Sequence, residues 1–193
     1  MTKRQSDSRE RIIDAAYLVL MEQGYGAASI KEIARAAGVA PGLVHYYFAS
    51  KDDLLVAVLR ATSDRYTAEM ERRSQEVPPA ALASAGLQEP EERATRQPEW
   101  YRLRYELFAL AMRNPALEEG VAALLANGRQ GIGNIVRKAA GNQALDPNAL
   151  AGVLLACFDG LALQKLADPH FDIHAAYQML SRMVGLLLES WAE

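Results

Sequence analysis

The sequence predicts an all-α protein of about nine helices. Apolar residues recur at three- and four-residue spacing, and Gly, Pro and capping residues interrupt the chain at helix-like intervals. No stretch alternates apolar and polar residues long enough to make a half-buried strand. Half of the 193 residues are hydrophobic and 23% are charged, a globular composition that excludes intrinsic disorder.

The first helix is expected from Asp7 or Ser8. Asp7 and Glu10 stand at capping-box spacing, Ile12, Ala16 and Leu20 form a stripe, and Gly24 supplies a left-handed stop. Ser29-Ile30-Lys31-Glu32 opens the second with a hydroxyl at the N-cap and a carboxylate three residues on, and it runs to Ala37. Gly38 takes a tight turn, Val39 plugs the core, and Pro41 restarts a helix that reaches Tyr47 or Phe48. Ser50-Lys51-Asp52-Asp53 caps a fourth helix with an apolar stripe of Leu54, Leu55, Val58 and Leu59 and a polar continuation to about Gln75; its length suits a connector.

Residues 76–98 contain Pro78-Pro79, Gly86, Pro90 and the acidic Glu89, Glu91 and Glu92, and read as a loop or a short broken helix. Trp100 to Arg113 is amphipathic and ends before Asn114-Pro115. Leu117 to about Ala140 is softened by Gly128, Gly131 and Gly133. Asp146-Pro147 opens a very apolar helix to Leu166, and Asp172 or Ile173 opens the last, to Trp191. These two carry more apolar surface than one core stripe needs. A second copy is expected to cover part of it, with Leu155, Leu161, Tyr177, Leu180, Met183, Val184 and Leu187 as the candidate seam.

Composition narrows the function classes. A single cysteine, Cys157, excludes a disulfide scaffold. No apolar segment or small-residue cleavage site follows the basic start MTKRQSDSRERI. The longest run free of charged or strongly polar side chains, Ala149 to Phe158, has ten residues, against the roughly 20 that a bilayer requires. The expectation is a reducing cytoplasm and no membrane partner. The net charge of −3 is uneven: residues 1–60 hold 8 basic and 7 acidic side chains, and the remainder 13 and 17. That balance permits a DNA contact at the N-terminal end.

The functional constellation lies between Ser29 and Lys51. Counting from Ile30, a helix-turn-helix requires a small residue at the fifth place, where the helices nearly touch, a turn glycine at the ninth and a hydrophobe at the fifteenth; Ala34, Gly38 and Val44 meet all three. The second helix of such a motif enters the major groove. His45, Tyr46, Tyr47 and Lys51 then find phosphates and thymine methyls as partners; the alternative is that one of the three rings, Tyr47, packs inward.

Ser29 to Leu55, SIKEIARAAGVAPGLVHYYFASKDDLL, resembles the DNA-binding segment of the tetracycline-repressor (TetR) family of bacterial one-component regulators. The stretch LLACFDGLALQKLADPHFD resembles the penultimate helix and following turn of one ligand-domain type in that family. The resemblance implies a helix-turn-helix domain over residues 1–50 and an effector-binding and dimerisation domain over 51–193. It further implies a homodimer on a pseudo-palindromic double-stranded DNA operator, repression released by a small molecule, no cofactor, and a connecting helix (51–75) that acts as the lever. It places Ser29 against a phosphate, Ala40, Pro41, Gly42, Leu43 and His45 in the groove, and Tyr46 and Lys51 on the backbone. The sequence departs from the commoner pattern in Ala40, where a hydroxyl is frequent, and in Pro41, where a basic or polar side chain is frequent. Sparse direct base readout follows, with Leu43 making apolar contact and specificity leaning on DNA shape.

The effector pocket that the resemblance implies is expected around Trp100, Tyr101, Tyr105, Phe108 and Met112, with Phe158 facing them and Arg102, Arg104 or Gln164 as polar handles. Such a wall favours an apolar or planar ligand. His170 and His174 read as surface residues rather than metal ligands, and Cys157 as an inert thiol. With three histidines, no phosphate-binding glycine loop and no metal cluster, the sequence is not expected to be an enzyme. A non-enzymatic helical adaptor is the alternative that accounts for the greasy C-terminus but not for Ser29 to Lys51.

Overall fold

The computed structural model describes residues 3–140 and 146–190, and every regular element among them is helical. The α-helices are α1 (Lys3–Ala27), α2 (Ile30–Ala37), α3 (Pro41–Tyr47), α4 (Lys51–Ser74), α5 (Pro79–Arg96), α6 (Pro98–Ala111), α7 (Glu118–Ala140), α8 (Pro147–Ala167) and α9 (Ile173–Ser190), with a 3-10 turn at Pro115–Leu117. The expected end of the last helix at Trp191 lies outside the described residues.

Three expectations about elements change. Helix α1 begins before Asp7, so Asp7 and Glu10 lie inside it instead of capping it. Gly24 is the stop that was expected: at φ 76° and ψ 166° it is non-helical, and a separate short helical turn follows beyond the kink. The Tyr25 amide donates to Glu106 (3.2 Å) and the Ala28 amide to the Gly24 carbonyl (3.2 Å), so the turn beyond the kink keeps its partners. Residues 79–96 form one helix, with Pro79 in its first turn and Pro90 inside it. Pro90 lacks the amide that would bond the carbonyl four residues back, yet it is buried, and packing offsets that loss. Helix α8 is 21 residues and holds an 18-residue window of mean hydropathy 1.5, long and apolar enough to cross a membrane by length and composition alone. The count of uninterrupted apolar residues understates it because Asp159 and Lys165 break the run without reversing the mean.

The helices gather into two compact units, Met1–Asp64 with Arg102–Leu124, and Arg65–Tyr101 with Leu125–Glu193. In the first, α1 packs on α2 and α2 on α3, and the core holds Ile12, Leu20, Ile33, Val44, Leu54 and Leu55, all at most 1% exposed. The start of α7 lies very close to α4: a Cβ at Gly120 would fall 2.6 Å from Val56 Cγ1. In the second unit α5 packs on both α8 and α9. Asp146 caps α8 by accepting from the Asn148 (2.9 Å) and Ala149 (3.3 Å) amides. Ala151, Leu154, Phe158 and Ala162 form the buried stripe of α8, and Phe158 stacks on Tyr177 of α9 at 6.1 Å. The Lys165 ammonium closes the α8–α9 turn by donating to the carbonyls of Pro169 (2.8 Å) and Phe171 (3.0 Å).

Candidate DNA-reading face and ligand chamber

The capping box is closed at α2. The Ser29 hydroxyl accepts from the Glu32 amide (3.2 Å) and donates to the Glu32 carboxylate (2.7 Å), and the Ser29 amide donates to the same carboxylate (3.1 Å). These hydrogen bonds from Ser29 hold the Glu32 carboxyl below its ordinary pKa. Both donors of Ser29 are therefore committed inside the box while it stays closed. Ala34 is fully buried, and Gly38 ends α2 at φ 66°, its amide donating to the carbonyl of Arg35 (3.1 Å). The next helix starts without a side-chain cap, since Ala40 has none to give, and Pro41 fixes its first turn.

Val44 (0% exposed) and Phe48 (4%) anchor α3 inward, which turns Ala40, Pro41, Gly42, His45 and Tyr46 to the outside. Leu43 and Tyr47 are half-buried, and the Tyr46 and Tyr47 rings meet edge to face at 5.0 Å. The outer face of α3 thus carries one imidazole, two phenols and otherwise small or apolar groups. Lys51 is half-buried, with its ammonium donating to the carbonyls of Tyr25 (2.5 Å) and Ala28 (2.8 Å) and lying 4.2 Å from the Tyr25 ring centre. It ties the α1–α2 junction to α4 and keeps one donor over. Tyr25 also donates to Asp52, which accepts as well from Asn114 (3.3 Å). The sequence reading missed three cations around this face: Lys31 and Arg35, exposed one turn apart on α2, and Arg9, whose guanidinium sits 5.3 Å from the Phe48 ring centre. The four-residue spacing of Lys31 and Arg35 was the available signal.

The aromatic residues expected around an effector are divided between the two units. Trp100 and Tyr101 are 5% and 3% exposed in the second unit, where the Arg93 guanidinium lies between the Trp100 (3.9 Å) and Tyr66 (4.0 Å) rings. Tyr105, Phe108 and Met112 belong to the first unit; Arg104 is buried over Phe108 at 4.7 Å, while Met112 is 83% exposed. Arg102 and Gln164 are also exposed, and Gln164 donates to the Gly160 carbonyl one turn back (3.4 Å).

The second unit contains a small cavity of about 50 Å³ walled by Gly86 and Leu87 of α5, Ile132, Ile135 and Val136 of α7, Leu154 and Phe158 of α8, and Val184 of α9. Every side chain on that wall is hydrocarbon, the kind of lining that an apolar ligand takes, in a space smaller than a drug-like ligand site. Of the expected effector residues, Phe158 alone lines it. The sequence hid the rest because α5, which forms one wall, carries Gly and Pro at the places where a loop would.

The expected seam residues divide by side. Tyr177 (2%), Leu180 (8%) and Val184 (8%) face the core of their own chain, Leu155, Leu161 and Leu187 are half-buried, and Met183 is 61% exposed. The outward apolar residues of α8 and α9 are Val153, Leu163, Met179, Met183 and Leu186.

Comparison with known proteins agrees with this architecture. A family model for bacterial regulatory proteins of the tetR family matches residues 12–58, and one for a tetracyclin repressor-like C-terminal domain matches 78–186. The HTH-type transcriptional regulator BetI of Rhizobium meliloti is 49% identical over 53 residues, 28% of this chain and 26% of that protein. The matched stretch thus spans about a quarter of that relative's length. A TetR transcription regulator from Haloarcula marismortui superposes with a TM-score of 0.75 at 25% identity, over 92% of this chain and 96% of its own. The multidrug binding protein EbrR, solved with imidazole, gives 0.69 at 30% identity over 94% and 93%. With its reading head and most of its C-terminal region each matched by a model of that family, the chain belongs to the TetR family of bacterial helix-turn-helix transcriptional regulators.

Proposed function

We propose that the chain is a ligand-responsive repressor that binds a pseudo-palindromic DNA operator as a homodimer in the bacterial cytoplasm and leaves it when a small molecule occupies the second unit. It catalyses no reaction and uses no cofactor. Residues 1–50 are the reading head and 51–193 the effector and dimerisation domain, with α4 as connector. The observation that carries the reading is the α3 face, held outward by Val44 and Phe48 on a capped helix-turn-helix. Ala40, Pro41, Gly42, Leu43 and His45 enter the groove, while Tyr46, Tyr47 and the remaining donor of Lys51 meet the backbone; Ser29 contributes chiefly by holding the N-terminus of α2 in place. The ligand site is the chamber around Phe158, whose hydrocarbon wall suits an apolar or planar body once the surrounding helices make room for it. EbrR, known with imidazole and with proflavin, supports a ligand of that kind.

Selection of bound sequences from a random duplex library, with the solution mass measured in parallel, tests the reading. Enrichment of an inverted repeat by a dimer is expected. A folded protein that enriches no sequence, with or without cell extract as a source of ligand, would leave the helical adaptor as the better account, with the exposed α8–α9 residues as its docking face.

A further inference from the structure

Tyr25 is bonded through all three of its polar groups to residues later in the chain. Its amide donates to the Glu106 carboxylate of α6 (3.2 Å), its carbonyl accepts from the Lys51 ammonium, and its phenol donates to the Asp52 carboxylate at the start of α4. Gly24 makes this possible, because the non-helical turn there frees the next amide from the α1 ladder. Asp52 accepts in addition from the Asn114 side-chain amide at the α6–α7 turn (3.3 Å), and Asn114 is itself held in place, its side-chain oxygen accepting from the Ala116 amide (3.2 Å). The Tyr25 phenol keeps its proton for this role, since burial and the adjacent Asp52 push its pKa up.

This hub lies four residues before Ser29, the N-cap from which α2 and then α3 follow. The same compact unit that holds the helix-turn-helix also holds most of α6 and the first turns of α7. Packing of α1 on α2 and of α2 on α3 keeps the internal shape of the helix-turn-helix. How that motif is carried on α4 and α6 is a separate matter. Apolar burial fixes how close the helices come but is non-directional, whereas hydrogen bonds to Glu106, Asp52 and Lys51 fix direction.

We propose that Tyr25 is a positioning residue for operator recognition: tied to Glu106, to Asp52 and through Asp52 to Asn114, it fixes the angle at which the helix-turn-helix is carried, and with it the half-site spacing that a dimer reads. The inference rests on the reading of the chain as a dimer on an inverted repeat and adds which contact sets the distance between the two heads. Adding one base pair between half-sites moves the second by about 3.4 Å and turns it by roughly 35°. Slack at Tyr25 therefore shows as tolerance of spacing, not as a change in the bases preferred within a half-site.

The test is selection from a random duplex library by the full-length parent and three full-length variants, each verified as folded by circular dichroism. Tyr25→Phe keeps the ring beside Lys51 and removes only the phenol donor. Asn114→Ala removes the other donor to Asp52 and serves if Tyr25→Phe fails to fold. The third exchanges the pair, Asp52→Asn with Asn114→Asp: the side-chain oxygen at 52 still accepts from Tyr25 while its new amide donates to the carboxylate at 114, which keeps its bond from Ala116. The parent is expected to enrich one spacing. Tyr25→Phe and Asn114→Ala should enrich the same half-site over several neighbouring spacings, with affinity for the parent's best operator down about tenfold and affinity for a single half-site that of the parent. The exchanged pair should restore the single spacing. A purely structural role would lower the urea midpoint and leave the spacing alone. Variants that keep the parent's spacing, lose half-site affinity as much as operator affinity, or are not rescued by the exchange would overturn the inference while the regulator reading stands. A parent that enriches no inverted repeat would bring down that reading and this inference with it.

Discussion

Ser29 shows how one side chain sets both stability and local acidity. Its hydroxyl satisfies the amide at the third position of α2 while its two donors charge the Glu32 carboxyl. Ser29→Ala should lower the unfolding free energy by about 1 kcal/mol, measured in urea, and let the Glu32 pKa rise toward the ordinary carboxylate value in an NMR titration. The sign follows from the depressed native pKa. The box contributes fully above the unfolded-state value and is lost as pH falls through the native one, so the variant's stability should respond less to acid than the parent's. This residue was fully legible in the sequence, because a capping box depends on neighbours in the chain. Leu43 is the opposite case, since its partner is absent from the chain. On a reading face poor in side-chain donors, Leu43→Ala should relax discrimination at the base pair it touches by about 1 kcal/mol, read as relative affinities across operator variants. An unchanged preference would assign specificity to DNA shape or to His45 and the tyrosines.

At the scale of elements, packing decides what local signals leave open. Residues 79–96 carry two prolines and a glycine, and a reading by local preference breaks the helix there; burial of Leu82, Leu87, Pro90 and Ala94 against the other helices of its unit keeps it whole. Gly24 is the stop that local preference expects, and what the sequence does not show is that the residues beyond it find partners and make a further helical turn. Those partners, Glu106 above all, are distant in sequence and give no local trace. The α4–α7 contact depends on a glycine in the same non-local way. Gly120→Ala would place a methyl 2.6 Å from Val56 Cγ1, and Val56 is β-branched with little rotamer freedom to retreat. Overpacking there should cost about 1–3 kcal/mol. Val56→Ala should recover much of that in the double variant, so a urea double-mutant cycle should be strongly non-additive; additive costs would mean that the two helices relax apart.

For the whole molecule, the question is why a helix-turn-helix protein has a terminal helix pair so apolar. Helix α8 buries one stripe in its own unit and yet leaves Val153 and Leu163 more than half exposed, and α9 does the same with Met179, Met183 and Leu186. Composition alone signals that excess, which is why a shared surface was expected there. In α8 it does not say which residues face which way, because both sides are apolar and the periodicity that would separate them is nearly flat, whereas α9 keeps a marked periodicity that does separate its sides. Tyr177, Leu180 and Val184 belong to the inner side, and Met183 to the outer. If a second copy covers the outer side, two reading heads are held on one particle and a palindromic operator is bound through both at once. Met183→Glu tests this with little disturbance of the protomer, since the side chain already points outward at 61% exposure. The variant should sediment as a monomer with unchanged helical content, while its operator affinity falls roughly 100-fold or more as the second half-site becomes an independent binding event. Its affinity for a single half-site should stay that of the parent, since nothing in the reading head has changed. A variant that remains dimeric would move the seam to another face, and one that becomes monomeric without losing operator affinity would sever dimerisation from DNA recognition.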